Sequence, residues 1–145
     1  QKQKNNNRLM ISKINKLSGG ILLIDYGFTG ITNKSTLQSV KSHKKNELFK
    51  NIGDADVTSL VNFNLLKEYF HKNKLNVKKI VSQNFFLEKL GIHKRAEILS
   101  QNMSFKQKAD LYIRIDRLLN RKFMGELFKV IFAFKSKSKN FIGFD

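Results

Sequence analysis

The chain contains no cysteine, which excludes disulfides, thiolate metal sites and cysteine nucleophiles and fits a reducing, intracellular compartment. Long apolar runs are missing too. The longest, Ile21 to Ile24 and Val130 to Phe134, fall far short of the ~20 residues a helix needs to cross a bilayer, so no membrane span is expected. The basic opening from Gln1 to Arg8 is not followed by a continuous apolar segment and does not read as a secretory signal. Compact catalytic signatures are absent: there is no G-x-G-x-x-G, Walker loop, nucleophile-elbow serine or zinc pattern. The three histidines, His43, His71 and His93, stand apart from one another.

Acidic residues are scarce, 11 against 28 basic ones, for a formal net charge of +17. Such a balance raises the possibility of a non-enzymatic basic module that binds nucleic acid or a protein partner. Against a dedicated nucleic-acid surface, the basic residues are spread along the whole chain and lysine far outnumbers arginine, the residue suited to bidentate phosphate and guanine contacts. What is present suits a globular fold. With 145 residues, 41% of them hydrophobic and 13 of them phenylalanine, the chain has the size and the material of a single domain with a real core.

The organising stretch is Gly19-Gly20-Ile21-Leu22-Leu23-Ile24-Asp25-Tyr26-Gly27. Its aliphatic run reads as a short strand, Ile21 to Asp25, buried on both faces inside a parallel sheet. Ligands in open α/β sheets gather beyond the carboxyl ends of strands, so Asp25, Tyr26 and Gly27 stand where chemistry is expected. On the local pattern alone the structural reading is favoured: Asp25 capping a turn, Tyr26 packing on the sheet edge, Gly27 supplying an unusual backbone angle. The spacing of Leu9, Met10, Ile14 and Leu17 predicts a helix over 8–17 that stops at Ser18-Gly19-Gly20, with glycine in the left-handed position. A helix feeding a strand this way is half of a β-α-β unit whose first strand would lie before Gln1.

Phe28 to Asn33 reads as a loop, Thr36 to Val40 as a short extended piece, and His43-Lys44-Lys45-Asn46 as an exposed loop anchored by Leu48 and Phe49. His43, in a polar loop, is the likeliest functional histidine on these grounds. Gly53-Asp54-Ala55-Asp56 is a turn with two carboxylates at i and i+2. Capping, solvation or a cationic substrate all suit them; a metal does not, because no His or Glu stands at ligand spacing and no calcium loop is present. Asn62 caps a helix that presents Phe63, Leu66, Tyr69 and Phe70 to the core. A second strand, Val77 to Val81, follows the turn at residues 74–76. Helices over 84–90, 94–102 and 104–119 come next, the last opened by the capping box Ser104-x-x-Gln107 and burying Phe105, Ala109, Tyr112 and Leu119. A third strand, Leu127 to Phe134, precedes a lysine-rich tail over 135–139.

As an ordered set these motifs resemble the MidA family of S-adenosylmethionine-dependent methyltransferases. The residues that carry the likeness are Gly19-Gly20-x-Leu22-x-Ile24-Asp25-Tyr26-Gly27, Thr36-Leu37, His43, Gly53-x-x-Asp56-x-Thr58-x-x-Val61-x-Phe63, Gln83-x-x-Phe86-Leu87-x-x-Leu90-Gly91-Ile92, and Met124-Gly125-x-x-Phe128-Lys129-Val130. The resemblance implies protein arginine methylation, of the kind performed by the mitochondrial complex I assembly factor of this family. It implies an α/β fold in which residues 1–145 form the C-terminal portion of one Rossmann-like class I methyltransferase domain. Ile21 to Asp25 would be the fifth strand, Val77 to Val81 the sixth and Leu127 to Phe134 the seventh, antiparallel, after an inserted helical segment. The S-adenosylmethionine site would lie mostly upstream of Gln1, so this portion alone would be inactive. The implied partner is a protein substrate presenting an arginine side chain, and the implied location a bacterial cytoplasm or a mitochondrial matrix. Asp25, Tyr26, His43 and Asp56 fall on the family's motifs as candidate catalytic residues. Carboxylates would grip and orient the guanidinium fork, and Tyr26 would stack on its plane. The chain departs from the family in carrying Asn62 where an aspartate is usual, and in having no proline around the His43 to Gly53 loop.

Overall fold

The computed structural model describes residues 2–32, 34–42, 44–137 and 140–144, with side chains from residue 9 onward. The first helix, α1 (Lys2–Leu17), turns Ile11 and Ile14 onto the sheet and hands over to β1 (Gly20–Phe28). Its left-handed terminal residue is Ser18, at φ 54°, rather than a glycine as expected. Gly20 serves the strand instead, because a Cβ there would come within 2.7 Å of the Phe132 ring.

A small sheet follows: β2 (Gln38–Lys41), β3 (Lys44–Asn46) and β4 (Asp56–Thr58), in the order β3-β2-β4 and antiparallel throughout. Residues 44–46 are thus a strand, not the loop their polarity suggested. Asn46 is the reason: its amide donates to Ser39 Oγ at 3.1 Å and to the carbonyls of Glu47 and Lys50, which locks the segment to its neighbour. That network leaves Phe49 pointing outward, 87% exposed, so it does not anchor the loop.

Two residues, β5 (Val61–Asn62), lead into α2 (Phe63–Lys72). The Asn62 side chain accepts from the N–H groups of Asn64 and Leu65, the cap its position predicts. The expected second strand is split into β6 (Asn76–Val77) and β7 (Val81–Ser82). Its cause is a bulge. Val77 sits opposite Ala133 and Val81 opposite Val130, so three residues face two across the ladder. The extra residue lets Val77 and Ile80 pack in one core and Val81 in the other.

Four helices then form a layer: α3 (Gln83–Lys89), α4 (Ile92–Ser100), α5 (Phe105–Leu119) and α6 (Met124–Leu127), ahead of the last strand β8 (Phe128–Phe134). The capping box of α5 forms through Ser104 and Gln107. The buried face of α5 differs from expectation in three of four residues: Phe105 is 90% exposed, Ala109 exposed and Tyr112 half exposed, while Leu119 is partly buried as expected, beside the buried Ile115 and the partly buried Leu111 and Leu118. The helix carries apolar residues on two sides. Tertiary contact chooses between them, in part through the Gln83 amide donating to the Leu118 carbonyl at 2.9 Å.

The main sheet runs β5-β1-β8-β6, with β7 also on β8. Strand β1 is laddered antiparallel to β8 over seven residues, Gly20 opposite Phe134 through Tyr26 opposite Phe128. On its other edge it meets β5, in parallel, at Gly27 and Phe28 alone among the described residues. Ile21 and Leu23 share one face with Ile131 and Ala133, under α1 and α2, where Phe63 and Phe70 complete the core. The opposite face holds Val81, Phe86, Val130 and Phe132, covered by the returning residues Phe141 and Phe144. Burial of β1 on both faces is therefore not observed: Leu22, at the rim of a cavity it shares with Phe86, Phe141 and Phe144, and Ile24 stay 45% and 43% exposed.

Candidate functional site

Beyond the carboxyl end of β1, between the main sheet and the small one, lies a cavity of about 650 Å³. Tyr26 forms one wall; Thr36, Gln38, Lys45 and Thr58 form the polar side; Leu60 and Leu127 close it with aliphatic surface. The Tyr26 ring is held edge-on against Phe128, centroids 5.7 Å apart. Gly27 makes the site possible. A Cβ at that position would run into the Val61 carbonyl oxygen and lie 2.6 Å from the Phe63 ring, so only glycine lets β5 and the start of α2 close against β1. That closure draws Thr58 and Leu60, just upstream, toward Tyr26.

Strand alternation separates the two adjacent candidates. Tyr26 faces the cavity, whereas Asp25 falls on the other face of β1, opposite Lys129 in the ladder. The Asp25 carboxylate accepts from the Tyr26 backbone N–H at 2.8 Å. Lys129 does not turn to it: its ammonium donates to the Glu126 carbonyl at 2.6 Å and lies 3.5 Å from the Glu126 carboxylate. Asp56 is exposed, at the start of β4, on the same face as Thr58 and one register step past the cavity lining. Asp54 lies on the far side of the small sheet, 3.5 Å from Lys41 Nζ. His43 falls outside the described residues. Of the candidate residues, Tyr26 lines the cavity, and Asp56 stands two residues along β4 from the lining Thr58.

Sequence reasoning did not single out Gln38, Lys45 and Thr58 as site residues. Thr36 and Thr58 stood within the quoted motifs, but Lys45 offered no signal beyond its charge, since its place beside Tyr26 depends on how two sheets meet. Among the described residues no three His, Asp or Glu side chains gather in a way that could hold a metal ion. A nucleoside cofactor calls for a glycine-rich turn at a helix start and an acid for the ribose hydroxyls. The lining of this cavity has neither, so these residues do not by themselves make a nucleoside site.

Residues 3–81 match the family described as "Putative S-adenosyl-L-methionine-dependent methyltransferase". The chain belongs to this family. Curated relatives in the methyltransferase family agree with the MidA resemblance. The zebrafish (Danio rerio) protein arginine methyltransferase NDUFAF7, mitochondrial, is 30% identical over 120 residues, 83% of this chain and 28% of its own length. Its human (Homo sapiens) counterpart is 34% identical over 116 residues, 77% of this chain and 25% of that one. The chain thus spans about a quarter of the curated relatives it matches. Two crystal structures from Burkholderia thailandensis superpose on it. One, native, has a TM-score of 0.72 at 25% identity and covers 91% of this chain and 38% of its own. The other, bound to S-adenosyl-homocysteine, has a TM-score of 0.73 at 22% identity, covering 91% and 37%. The fold of this methyltransferase family member is accordingly mixed α/β and Rossmann-like. Among the described residues no helix is long and apolar enough to cross a membrane.

Proposed function

We propose that this chain is the C-terminal portion of a single class I methyltransferase domain that transfers a methyl group from S-adenosylmethionine to an arginine of a protein substrate. Family membership carries the reading. The geometry supports the finer topology: β8 runs antiparallel beside β1, after a helical segment inserted between β7 and β8. The edge of β1 from Gly20 to Tyr26, unpaired among the described residues, together with the exposed Leu22 and Ile24, suits a further strand and covering element from the rest of such a domain. A structural relative with S-adenosyl-homocysteine bound supports the cofactor. On this reading the donor is held by other parts of the fold. Of the chain's own residues, Tyr26 offers a flat aromatic surface for a planar guanidinium, Asp56, on the sheet face that continues the cavity lining, offers a carboxylate for its N–H fork, and Asp25, on the other face of β1, acts by holding the Tyr26 backbone N–H at 2.8 Å. A mitochondrial matrix or bacterial cytoplasmic location follows from the same reading, with support from the mitochondrial names of the relatives.

The test pairs this chain with a cofactor-binding half from a relative, expressed together, and measures S-adenosyl-homocysteine binding by calorimetry and methylation of arginine-containing protein. The pair is expected to bind and methylate, and the 145-residue chain alone to bind negligibly. Tight stoichiometric binding to the chain alone overturns the division of labour. Asp25→Asn in the active pair is expected to lower kcat at least tenfold; full activity removes Asp25 from the mechanism.

A further inference from the structure

We propose that the cavity beside Leu22 is a socket for one uncharged aromatic ring, presented by the element that covers this face of β1 in the complete domain. The source of the ring rests on the methyltransferase reading; its chemistry rests on the cavity alone. That cavity, of about 190 Å³, is lined by Leu22, Phe86, Phe132, Phe141, Ile142 and Phe144. Among the described residues no charged or hydrogen-bonding side chain lines it, although 28 of the chain's 145 residues are basic. A charge or a hydroxyl placed there would lose its water without gaining a partner.

The walls are set before a guest arrives. Phe86 and Phe144 are buried, their centroids 5.2 Å apart at 54°, and Phe141 stands against Phe132 at 4.8 Å and 65°. Gly143, at φ 100°, seats the tail, since a Cβ there would come within 2.5 Å of the Phe86 ring. Rings tilted in this way offer both faces and edges, which favours an aromatic guest over an aliphatic one of equal size. An apolar cavity of about 150 Å³ walled by leucine, isoleucine and phenylalanine stays dry and takes up benzene, so the volume here suits a single ring and not a nucleoside. Leu22 and Ile142, 45% and 77% exposed, form the lip. Alternation puts Leu22 and Ile24 on one face of β1, so the socket opens onto the half-covered stripe that the rest of the domain is read to cover. The chain spans about a quarter of the curated relatives it matches, which leaves ample chain to supply that cover.

The probe is fluorobenzene, followed by ligand-detected fluorine NMR with the 145-residue chain, with circular dichroism confirming that each variant is folded. Saturable binding is expected, at least threefold tighter than that of fluorocyclohexane. Leu22→Trp and Ile142→Trp, each bringing an indole to the lip, are expected to weaken it at least fivefold, while Leu65→Trp, at an exposed position of α2, leaves it unchanged. Fluorobenzoate, which the net charge of +17 favours, is expected to respond to none of the three. No saturable binding of fluorobenzene, or an equal loss from Leu65→Trp, overturns the socket and leaves the methyltransferase reading standing. A cofactor-binding half from a relative is expected to weaken fluorobenzene binding at least fivefold by filling the socket. A complex that takes up fluorobenzene undiminished assigns the socket to a free small molecule and overturns the covering element as the source; absence of any complex overturns that source together with the division of the domain on which it rests.

Discussion

On one face of the main sheet Phe63, Ile131 and Ala133 are wholly buried and Phe70 nearly so, under α1 and α2. On the other, Phe132 and Val130 are roofed by Phe86 and by a returning tail whose Phe144 ring lies 5.2 Å from Phe86 and 5.9 Å from Phe132, while Leu22 and Ile24 remain open. Residue types scarcely differ between the two. What differs is what covers them: two helices against one short helix and five residues of tail. An apolar face of a strand is therefore a request for a cover, and the request is met here on one side only. Stability is expected to concentrate on the first face, and assembly on the second.

Phe63→Ala is the largest test of that contrast. Removing a fully buried ring from beneath β1 is expected to cost about 3–5 kcal/mol in urea unfolding, and a loss below about 2 kcal/mol would mean that the helix-covered face does not dominate. Phe144→Ala, on the tail-covered face, is expected to cost less, about 2 kcal/mol, since its roof is thinner and can relax into the space left; a cost equal to that of Phe63→Ala would erase the difference between the faces. Smallest is the double change Leu22→Ser with Ile24→Ser. Acting on side chains already half in water, it is expected to shift the midpoint of the isolated chain by no more than about 0.5 kcal/mol. The same variant is expected to weaken association with a cofactor-binding half at least tenfold in analytical ultracentrifugation, and unchanged association would show that this face is not where the two meet.

Local signals were legible where they are self-contained. Asn62 and the Ser104 capping box do what their spacing promises, because a cap needs only neighbours within four residues. The α2 stripe of Phe63, Leu66, Tyr69 and Phe70 also falls in or against the core as its period requires. Helix α5 was harder to read, since Phe105, Ala109 and Tyr112 form as good a stripe as Leu111, Ile115 and Leu118, and only its neighbours choose. Of the candidate site, Tyr26 was readable from its place at a strand's carboxyl end. The opposed direction of Asp25 follows from alternation once the strand's phase is known. Lys45 was not readable, because its strand pairing depends on an asparagine amide seven residues from its partner.

Motif order by itself determined the family and the α/β class, and the lack of cysteine the absence of thiol chemistry in these residues, since these depend on which residues occur and in what sequence. The tertiary structure alone decided which face of β1 is covered, how a bulge splits the strand between residues 77 and 81, and that Lys45 and Asp56 stand in one row across Val40. Each of these is a relation between residues far apart in the chain, set by register and packing, and period alone carries no record of what lies opposite.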